Sequence, residues 1–463
     1  MYAGLPGFQM YVDASGADVI SHTNMGGDQV TAYQYSNSKT QADGNASKIW
    51  SMCYNVINRA NIILTNVDAA AGDETQKKHI KGQALAMRGI QYFHLIQNYQ
   101  QTYAIAKSKR GVILRTSSDD ESHKGFSTVE EVYTQIVSDL TTAKTLLADY
   151  NPDDMWLINS KICSGILARV YLVMQNWDGA YNEAKIVYDQ HSQLMTREQY
   201  RSGFDDMISG NYAEVVWAMK YTADNNLGGS TQFNFWYNQD ASYGEGYADG
   251  PIYSFLDYFV DEQFVKLFEE KEDRYQFWKR TNNANTEINT KWAFDKYKHY
   301  GEDGGSVIQS ATRPEVCLMR GAEMLLIMAE AAAQKGNSGE ALNLLNRLQV
   351  ARNATPTTNA GGEALLEDIY VERRKELICE GQAGFYDLVR LQKRLVRIGE
   401  STTNPAGHYV WGMQYLNGYN ALDPQPIGTL ESNDYRFFCQ IPQMEILNND
   451  AISESDQNPW SGQ

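Results

Sequence analysis

A spacing of alanines that occurs twice constrains the fold of this chain more than any other feature of its sequence. Ala180 follows Ala168 by twelve positions. Ala341 follows Ala329 by the same twelve, and in both copies a polar turn lies between the two alanines. Small residues at this spacing let two antiparallel helices approach closely, as they do in tetratricopeptide helix pairs. The sequence therefore predicts two helix pairs of this type.

Each predicted pair has an apolar face that it cannot bury alone, so the pairs are expected to pack against further helices. Apolar stripes at helical spacing over 49–64 and 73–100 predict two of these helices. Overlapping capping boxes that start at Ser127 and Thr128 predict the beginning of a third. We therefore expect an all-α fold, a tetratricopeptide-like right-handed α-superhelix of about four helix pairs with long, loop-rich, aromatic insertions.

Long polar stretches interrupt the helical pattern. Residues 200–314 are rich in Gly, Asn, Asp and aromatic side chains, and residues 401–463 are again polar and loop-like. We expect an N-terminal helical region at 1–199, a loop-rich insertion at 200–314 and a C-terminal region at 315–463, together forming one compact unit. Because so long an insertion is costly to order, it is the expected location of a ligand site.

Composition excludes several functional classes. The 463 residues are 43% hydrophobic, which is ample for a large core. The formal net charge of −17 argues against a surface for nucleic acid or anionic membrane, since both need clustered basic residues. No window of about twenty apolar residues predicts a membrane span. The cysteines are scattered and the histidines form no ligand motif, so neither a disulfide framework nor a metal site nor a cofactor is expected.

Aromatic residues are concentrated in a glycine-rich stretch at 233–251. A sugar ring has an apolar face that an aromatic ring covers and hydroxyl groups that short polar side chains bind. Trp236 and Tyr237 are therefore predicted to form a stacking platform, with Asn238 and Asp240 as hydroxyl partners. The further ligand-binding candidates are Tyr243, Tyr247, Trp292, Tyr33, Tyr35 and Asp28, with Trp411, Tyr415 and Tyr419 as secondary ones. The alternative is that these rings only fix long loops to the scaffold.

Two further patterns are open to a structural interpretation. Residues 291–300 alternate as a strand does, so a hairpin is predicted there and its rings can equally belong to the core. Charged residues within the apolar helical segments are predicted to form structural ion pairs rather than a catalytic site, because unpaired burial is costly. These residues are Arg88, Glu323, Glu330, Glu372, Arg373, Glu376, Asp387 and Arg390.

A set of short motifs runs in order along nearly the whole chain. The motifs include Trp50, Tyr54, Ala60-Asn61, Arg88, Tyr92-Phe93, Asp139-Leu140, Arg320, Glu323, Glu372-Arg373, Glu376, Glu380-Gly381, Asp387-Leu388, Arg390, Ile441-Pro442 and Asn458-Pro459. In this order they resemble the SusD/RagB family, the surface glycan-binding lipoproteins of gut Bacteroidetes. The chain departs from the family's motif after Glu380-Gly381, where it has Gln382-Ala383.

The resemblance implies a non-catalytic subunit that binds a glycan at the cell surface. It also implies delivery of that glycan to a TonB-dependent outer-membrane transporter of the SusC type for nutrient uptake. A lipid anchor would attach the protein to the outer membrane. The family's export signal and lipid-bearing cysteine are absent, so the chain is expected to be a truncated form. In the family the glycan site resembles an arc of early loops and the central insertion, which favours 23–35 together with 233–300.

Two other functions remain open. A peptide- or protein-binding adaptor is a common use of tetratricopeptide arrays, and some members of the family handle peptides. A glycoside hydrolase needs two carboxylates about 5–9.5 Å apart. Asp240, Glu245 and Asp249 lie in the aromatic stretch, but no hydrolase motif accompanies them. We therefore expect a binding protein rather than an enzyme.

Overall fold

A computed structural model describes most of the chain. The described residues are 5–21, 30–36, 44–120, 122–202, 204, 207–220, 258–280, 291–294, 296, 315–381 and 383–459. They form two compact units whose segments alternate along the sequence. Unit 1 comprises Met1–Ser36, His191–Leu326 and Ser338–Ser432, and unit 2 comprises Asn37–Gln190, Ile327–Asn337 and Asn433–Gln463. Each unit therefore draws on segments from both halves of the chain.

Helices dominate the described residues, which confirms the predicted helical fold class. None of these helices is long and apolar enough to cross a membrane. In chain order the helices are α1 (Leu5–Ala14), α2 (Val30–Gln34), α3 (Gly44–Asn66), α4 (Glu74–Tyr99), α5 (Tyr103–Ala106), α6 (Val129–Leu146), α7 (Ser160–Val173), α8 (Trp177–Tyr188), α9 (Arg197–Ser202), α10 (Glu262–Val265), α11 (Gly321–Gln334), α12 (Ser338–Ala351), α13 (Gly362–Leu377), α14 (Phe385–Arg390), α15 (Val410–Met413) and α16 (Gln443–Asn448).

Within the described residues, three small antiparallel sheets, all in unit 1, add to this helical architecture. The strands are β1 (Val19–Ser21), β2 (Val215–Lys220), β3 (Tyr258–Val260), β4 (Trp278–Arg280), β5 (Trp292–Phe294), β6 (Glu315–Arg320), β7 (Leu395–Ile398) and β8 (Ile427–Leu430). One sheet has the order β1-β3-β5-β4, and β2-β6 and β7-β8 form two-stranded sheets. The strand predicted near residue 292 is confirmed as β5, which pairs with both β3 and β4.

The alanine spacing of the first predicted pair reflects close packing of α7 against α8 in unit 2. Ala168 and Ala180 are fully buried. At Gly179, a Cβ atom would lie 2.8 Å from the Tyr171 ring, so no side chain fits between the helices there. Asn176 caps α8 by accepting a hydrogen bond from the backbone N–H of Gly179. The first predicted helix pair is therefore confirmed.

The other predicted helices of unit 2 are also present. α3 packs on α4, α4 on α6, and α6 on α7. Thr128 is the residue that caps α6: its hydroxyl accepts from the Glu131 backbone N–H at 3.2 Å, and the Glu131 carboxylate accepts from the Thr128 N–H at 2.7 Å. Of the two overlapping capping boxes, the structure therefore forms the one that begins at Thr128.

The second alanine pair corresponds to α11 and α12. Ala329 and Ala341 are both fully buried. The turn that joins the two helices contains Gly336 at a φ of +82°, a backbone conformation that glycine adopts without strain. Residues 321–332 are buried throughout, so α11 is a core helix on every side rather than an amphipathic surface helix.

A buried ion pair joins three elements of unit 2. Arg88 of α4 donates from Nε and Nη2 to the two carboxylate oxygens of Asp139 of α6, at 2.8 and 2.7 Å. Its Nη1 donates to Asn61 Oδ1 of α3 at 2.9 Å. The side chains of Arg88 and Asp139 are 7% and 2% exposed. The structural role predicted for Arg88 is therefore confirmed.

A larger buried ion network occupies the interior of unit 1, with Arg320 at its centre. Nη1 of Arg320 donates to Glu214 at 2.8 Å and to Glu376 at 2.5 Å. Nε and Nη2 donate to the two oxygens of Glu380 at 2.9 and 2.8 Å. The network balances five carboxylates with five cations, all buried: Glu214, Glu272, Glu372, Glu376 and Glu380 with Arg274, Lys296, Arg320, Arg352 and Lys375.

Glu376 is the carboxylate that most of the network's cations share. Burial by itself raises the pKa of a carboxyl group, but Arg352, Arg320 and Arg274 together hold the pKa of Glu376 well below its usual value. Arg352 also packs over the ring of Tyr200, with its Cζ 4.1 Å from the ring centroid. The ionised form of Glu376 is therefore the one on which the folded interior depends.

Replacing Glu376 with Gln should destabilise the protein strongly. The change removes one negative charge and leaves three buried arginines with surplus positive charge. We expect the free energy of unfolding to fall by about 3–5 kcal/mol, the usual cost of removing one partner from a buried ion pair. Urea denaturation followed by circular dichroism measures this loss. Asp149→Asn is the control, because it breaks the ion pair between Asp149 and Lys78, in which both side chains are exposed to solvent. Equal denaturation midpoints for the two variants would show that the network does not stabilise the fold.

Candidate functional site

Most of the predicted ligand residues lie outside the described part of the chain. They are Trp236, Tyr237, Asn238, Asp240, Tyr243, Tyr247 and Asp28. The geometry therefore bears on Trp292, Tyr33 and Tyr35 and on the secondary candidates that follow residue 408. All of these belong to unit 1.

Trp292 lies in β5 and is half-buried. Its indole Nε1 donates to Glu262 Oε2 at 3.1 Å, and its ring meets the ring of Tyr275 edge-on at a centroid distance of 6.4 Å. The hydrogen bond fixes the orientation of an indole that keeps part of its surface open to solvent. Trp292 therefore combines a fixed polar edge with apolar surface that solvent reaches.

Asp261 fixes the helix that presents Glu262. Its Oδ2 accepts from the backbone N–H groups of Gln263 at 2.8 Å and Phe264 at 3.3 Å, which makes it the cap of α10. Burial raises the pKa of the Asp261 carboxyl group to about 7. Its Oδ2 is committed to the helix end, which positions Glu262 beside Trp292.

Tyr33 is a buried residue of α2 rather than an open ring. Its hydroxyl lies 2.8 Å from Nδ1 of His408, and Nε2 of His408 lies 2.9 Å from the Ala17 carbonyl oxygen. Because a carbonyl only accepts, Nε2 carries the proton and Nδ1 accepts from the Tyr33 hydroxyl. Burial, with Arg397 nearby, lowers the pKa of His408 well below its usual value, so this histidine is neutral.

Tyr33 supports Trp411, which is half-buried. The two rings meet edge-on at a centroid distance of 5.9 Å, and Tyr409 stacks on Trp411 at 6.0 Å with nearly parallel planes. At Gly412, a Cβ atom would lie only 2.2 Å from the Tyr33 ring, so glycine is required for this approach. The aromatic surface that reaches solvent is therefore that of Trp411, and Tyr33 lies beneath it.

Tyr35 is also buried, and its hydroxyl donates to the Ser15 carbonyl. The Arg397 guanidinium lies over both tyrosines, 4.3 Å from the Tyr33 centroid and 5.5 Å from that of Tyr35. Both rings were predicted to lie near a ligand because the resemblance favours 23–35 as part of the glycan site. In the structure their faces pack against the buried Arg397, which leaves no face open for stacking on a sugar.

Lys291 connects β5 to the segment that carries Trp411. Its Nζ donates to Glu400 Oε2 at 2.6 Å and to the Pro405 carbonyl at 2.9 Å, and lies 4.5 Å from the Tyr409 ring centroid. We call Tyr275, Trp292, Tyr409 and Trp411 the aromatic cluster. Tyr275 and Lys291 were not among the predicted residues, since neither lies in a motif and only the fold places them beside the predicted rings.

No group of three or more His, Cys, Asp or Glu side chains in the described ranges is placed to hold a metal ion. The carboxylates of Glu262 and Glu400 accept hydrogen bonds from Trp292 and Lys291. The chemistry that the aromatic cluster offers is thus apolar contact with hydrogen bonding.

Comparison with known families gives two matches. A family described as "Starch-binding associating with outer membrane" matches residues 7–172, and the SusD family matches residues 262–460. Among curated proteins, SusD-like protein P2 of Formosa agariphila is 25% identical over 453 residues, covering 90% of this chain and 81% of the relative. SusD-like protein P38 of the same organism is 24% identical over 418 residues, covering 79% and 76%.

Solved structures agree with these matches. A SusD-like carbohydrate binding protein from Bacteroides vulgatus has a TM-score of 0.78 at 27% identity, covering 98% of this chain and 92% of that protein. A SusD superfamily protein from Bacteroides thetaiotaomicron has a TM-score of 0.76 at 26% identity, with coverage of 98% and 94%. The sequence motifs, the helical fold and both sets of relatives agree. The chain belongs to the SusD/RagB family.

Proposed function

We propose that this protein is a non-catalytic glycan-binding subunit at the bacterial cell surface. In this proposal a lipid anchor holds it to the outer membrane, and it delivers glycan to a TonB-dependent transporter of the SusC type. The observation that carries the proposal is membership of the SusD/RagB family. A solved structure that is similar over 98% of this chain is that of a SusD-like carbohydrate binding protein.

The aromatic cluster supports binding rather than hydrolysis. Its half-buried indoles, Trp292 and Trp411, are held by protein contacts on one side and reach solvent on the other. The carboxylates that contact the cluster serve as hydrogen-bond acceptors for Trp292 and Lys291. A glycosidase instead needs a pair of carboxyl groups free to act on the scissile bond.

Trp236 and Tyr237 remain our proposed stacking platform, with Asn238 and Asp240 as hydroxyl partners. We expect purified protein to bind oligosaccharides on a glycan array, and Trp236→Ala to weaken that binding by about 1–3 kcal/mol because apolar contact with the sugar face is lost. Isothermal titration with the best array ligand measures the change. Trp156→Ala is the matched control, since Trp156 is a 40% exposed tryptophan of unit 2. Binding to a peptide library but to no glycan would overturn the proposal.

Trp292 and Tyr33 should respond differently to substitution. Trp292→Ala removes an indole that reaches solvent, so we expect weaker glycan binding, again by about 1–3 kcal/mol. Tyr33→Phe removes the donor to His408 Nδ1 and leaves a buried acceptor unpaired. We expect it to lower the free energy of unfolding by about 1–3 kcal/mol, with glycan affinity unchanged. Titration calorimetry and thermal denaturation of both variants separate the two effects. A loss of affinity in Tyr33→Phe at full stability would place Tyr33 in the ligand site.

Docking on the transporter should depend on the helical scaffold and not on the aromatic stretch. Deleting the whole of 200–314 would remove Glu214, Arg274 and Lys296 from the buried network, so a smaller change is needed. We expect a variant with 233–251 replaced by a short Gly/Ser linker to co-purify with a TonB-dependent transporter from native membranes in mild detergent, as the wild type does. Recovery of the wild type without any transporter would contradict this part of the proposal.

A further inference from the structure

Unit 1 contains a cleft that shares no lining residue with the aromatic cluster. Its volume is about 350 Å³, within the range of small-molecule sites. One side of α13 lines it with Glu367, Tyr370 and Arg374, whose spacing of three and four residues places them along one helix face. Leu388 of α14 and Val396 of β7 add apolar surface. The cleft is therefore large enough for one sugar unit and has both polar and apolar walls.

Each cation of the cleft lining is paired with a carboxylate. The pairs are Arg374 with Asp18, Lys393 with Glu367, and Arg394 with Glu431. Arg374 donates from Nε to Asp18 Oδ2 at 3.1 Å and from Nη2 to Asp18 Oδ1. These two side chains are only 19% and 9% exposed, so separating them to hold an ion would leave a poorly solvated charge without its partner. Among the described residues, the lining therefore offers a charged ligand no unpaired opposite charge.

Three polar groups along the α13 wall keep hydrogen-bonding capacity that the ion pairs do not use. The bonds to Asp18 occupy one edge of the Arg374 guanidinium, and its Nη1 donates to no described residue. The Tyr370 hydroxyl has no hydrogen-bond partner within the described ranges, although Lys393 Nζ lies 4.5 Å from the Tyr370 ring centroid. Glu367 accepts from Lys393 through Oε2 at 2.5 Å, while its Oε1 accepts from no group in the described part of the chain. The wall thus presents a donor, a hydroxyl and an acceptor, all carried by one helix.

Hydroxyl groups match these open positions better than an ion does. A hydroxyl both donates and accepts, so a single one can accept from Arg374 Nη1 and donate to Glu367 Oε1. A carboxylate only accepts and would face the carboxylates of Asp18 and Glu367, whereas an ammonium group only donates and would face the cations of the lining. A ligand that matches the cleft is therefore uncharged, with several hydroxyls and one apolar face.

We infer that this cleft binds one neutral monosaccharide unit, as a second contact for the glycan. The inference rests on the proposed function for the choice of a sugar among uncharged, hydroxylated ligands. In this arrangement Arg374 Nη1 and the Tyr370 hydroxyl bind sugar hydroxyls, and Glu367 Oε1 accepts from another. Leu388 and Val396 contact the C–H face of the ring. The ion pairs remain intact, so the polar groups that bind the sugar are already held in place before it arrives.

The test titrates the full chain with glucose, galactose and mannose, and with the uronate and the 2-amino sugar that correspond to each. We expect saturable millimolar binding of at least one neutral sugar, observed by NMR. Its uronate and its amino sugar should bind about tenfold more weakly, because each brings a charge for which the cleft has no free partner. Added salt should leave the affinity of the neutral sugar unchanged, since no ion pair forms on binding.

Two variants assign the binding to the cleft. Tyr370→Phe removes a hydroxyl without a partner in the described residues, so we expect an affinity about fivefold lower at an unchanged melting temperature. Val396→Trp fills the cleft and should abolish saturable binding. Ile427→Trp is the matched control, because Val396 and Ile427 are 41% and 44% exposed and both belong to the β7-β8 sheet, but Ile427 does not line the cleft.

Three results would overturn the inference. They are no saturable binding of any neutral sugar, a charged counterpart that binds as tightly as the neutral sugar, and affinity unchanged in both Tyr370→Phe and Val396→Trp. The Trp236→Ala variant separates this inference from the proposed function, since it should lose array binding and keep cleft binding. An array without any ligand, combined with sugar binding that Val396→Trp abolishes, would contradict the proposed function alone.

Discussion

The interior of unit 1 depends on the charge balance around Arg320. Each ion buried without partners costs several kcal/mol, so ten buried charged groups are tolerated only when all of them are in place. The network takes Glu214 from just before β2, Arg274 from before β4, Arg320 from the end of β6 and Glu376 from α13. Segments that are far apart in the sequence are thereby fixed at one point. Glu214 directly precedes β2, so the network also fixes the strand after which the chain continues toward 233–251.

A second buried cation, Arg397, explains why Tyr33 is buried whereas Trp411 is partly exposed. Arg397 donates to the backbone carbonyls of Gly16, Ala14 and Tyr33, and its guanidinium packs against the Tyr33 ring. Tyr33 in turn supports Trp411. The three side chains thus lie in the order Arg397, Tyr33 and Trp411 from the interior to the surface. This order explains why Tyr33 is buried and Trp411 is partly exposed. A rigid support of this kind lowers the entropy that an aromatic ring loses on binding.

The sequence predicted the parts of the fold that have a helical period. α3, α4, α6, α7 and α8 were identified from apolar stripes, caps and alanine spacing, and Arg88 and Glu376 were correctly assigned to structural ion pairs. The three-residue strands were mostly missed, because a strand that short has no period to detect. Tyr33 and Tyr35 were predicted to bind ligand because the resemblance to the family favours the early loops, 23–35, as part of the glycan site. The partner that buries them, Arg397, is more than 350 positions away, and no local pattern indicates so distant a contact.

The aromatic cluster offers a glycan apolar surface rather than charge. The buried network pairs the cations of the unit 1 interior with carboxylates, and Lys291, which lies beside the cluster, is paired with Glu400. No charge of these groups is therefore left for a ligand to match. Stacking on Trp292 and Trp411 depends on apolar contact, which salt does not screen as it screens ion pairs. The part of the glycan affinity that these two rings contribute should therefore be nearly independent of ionic strength.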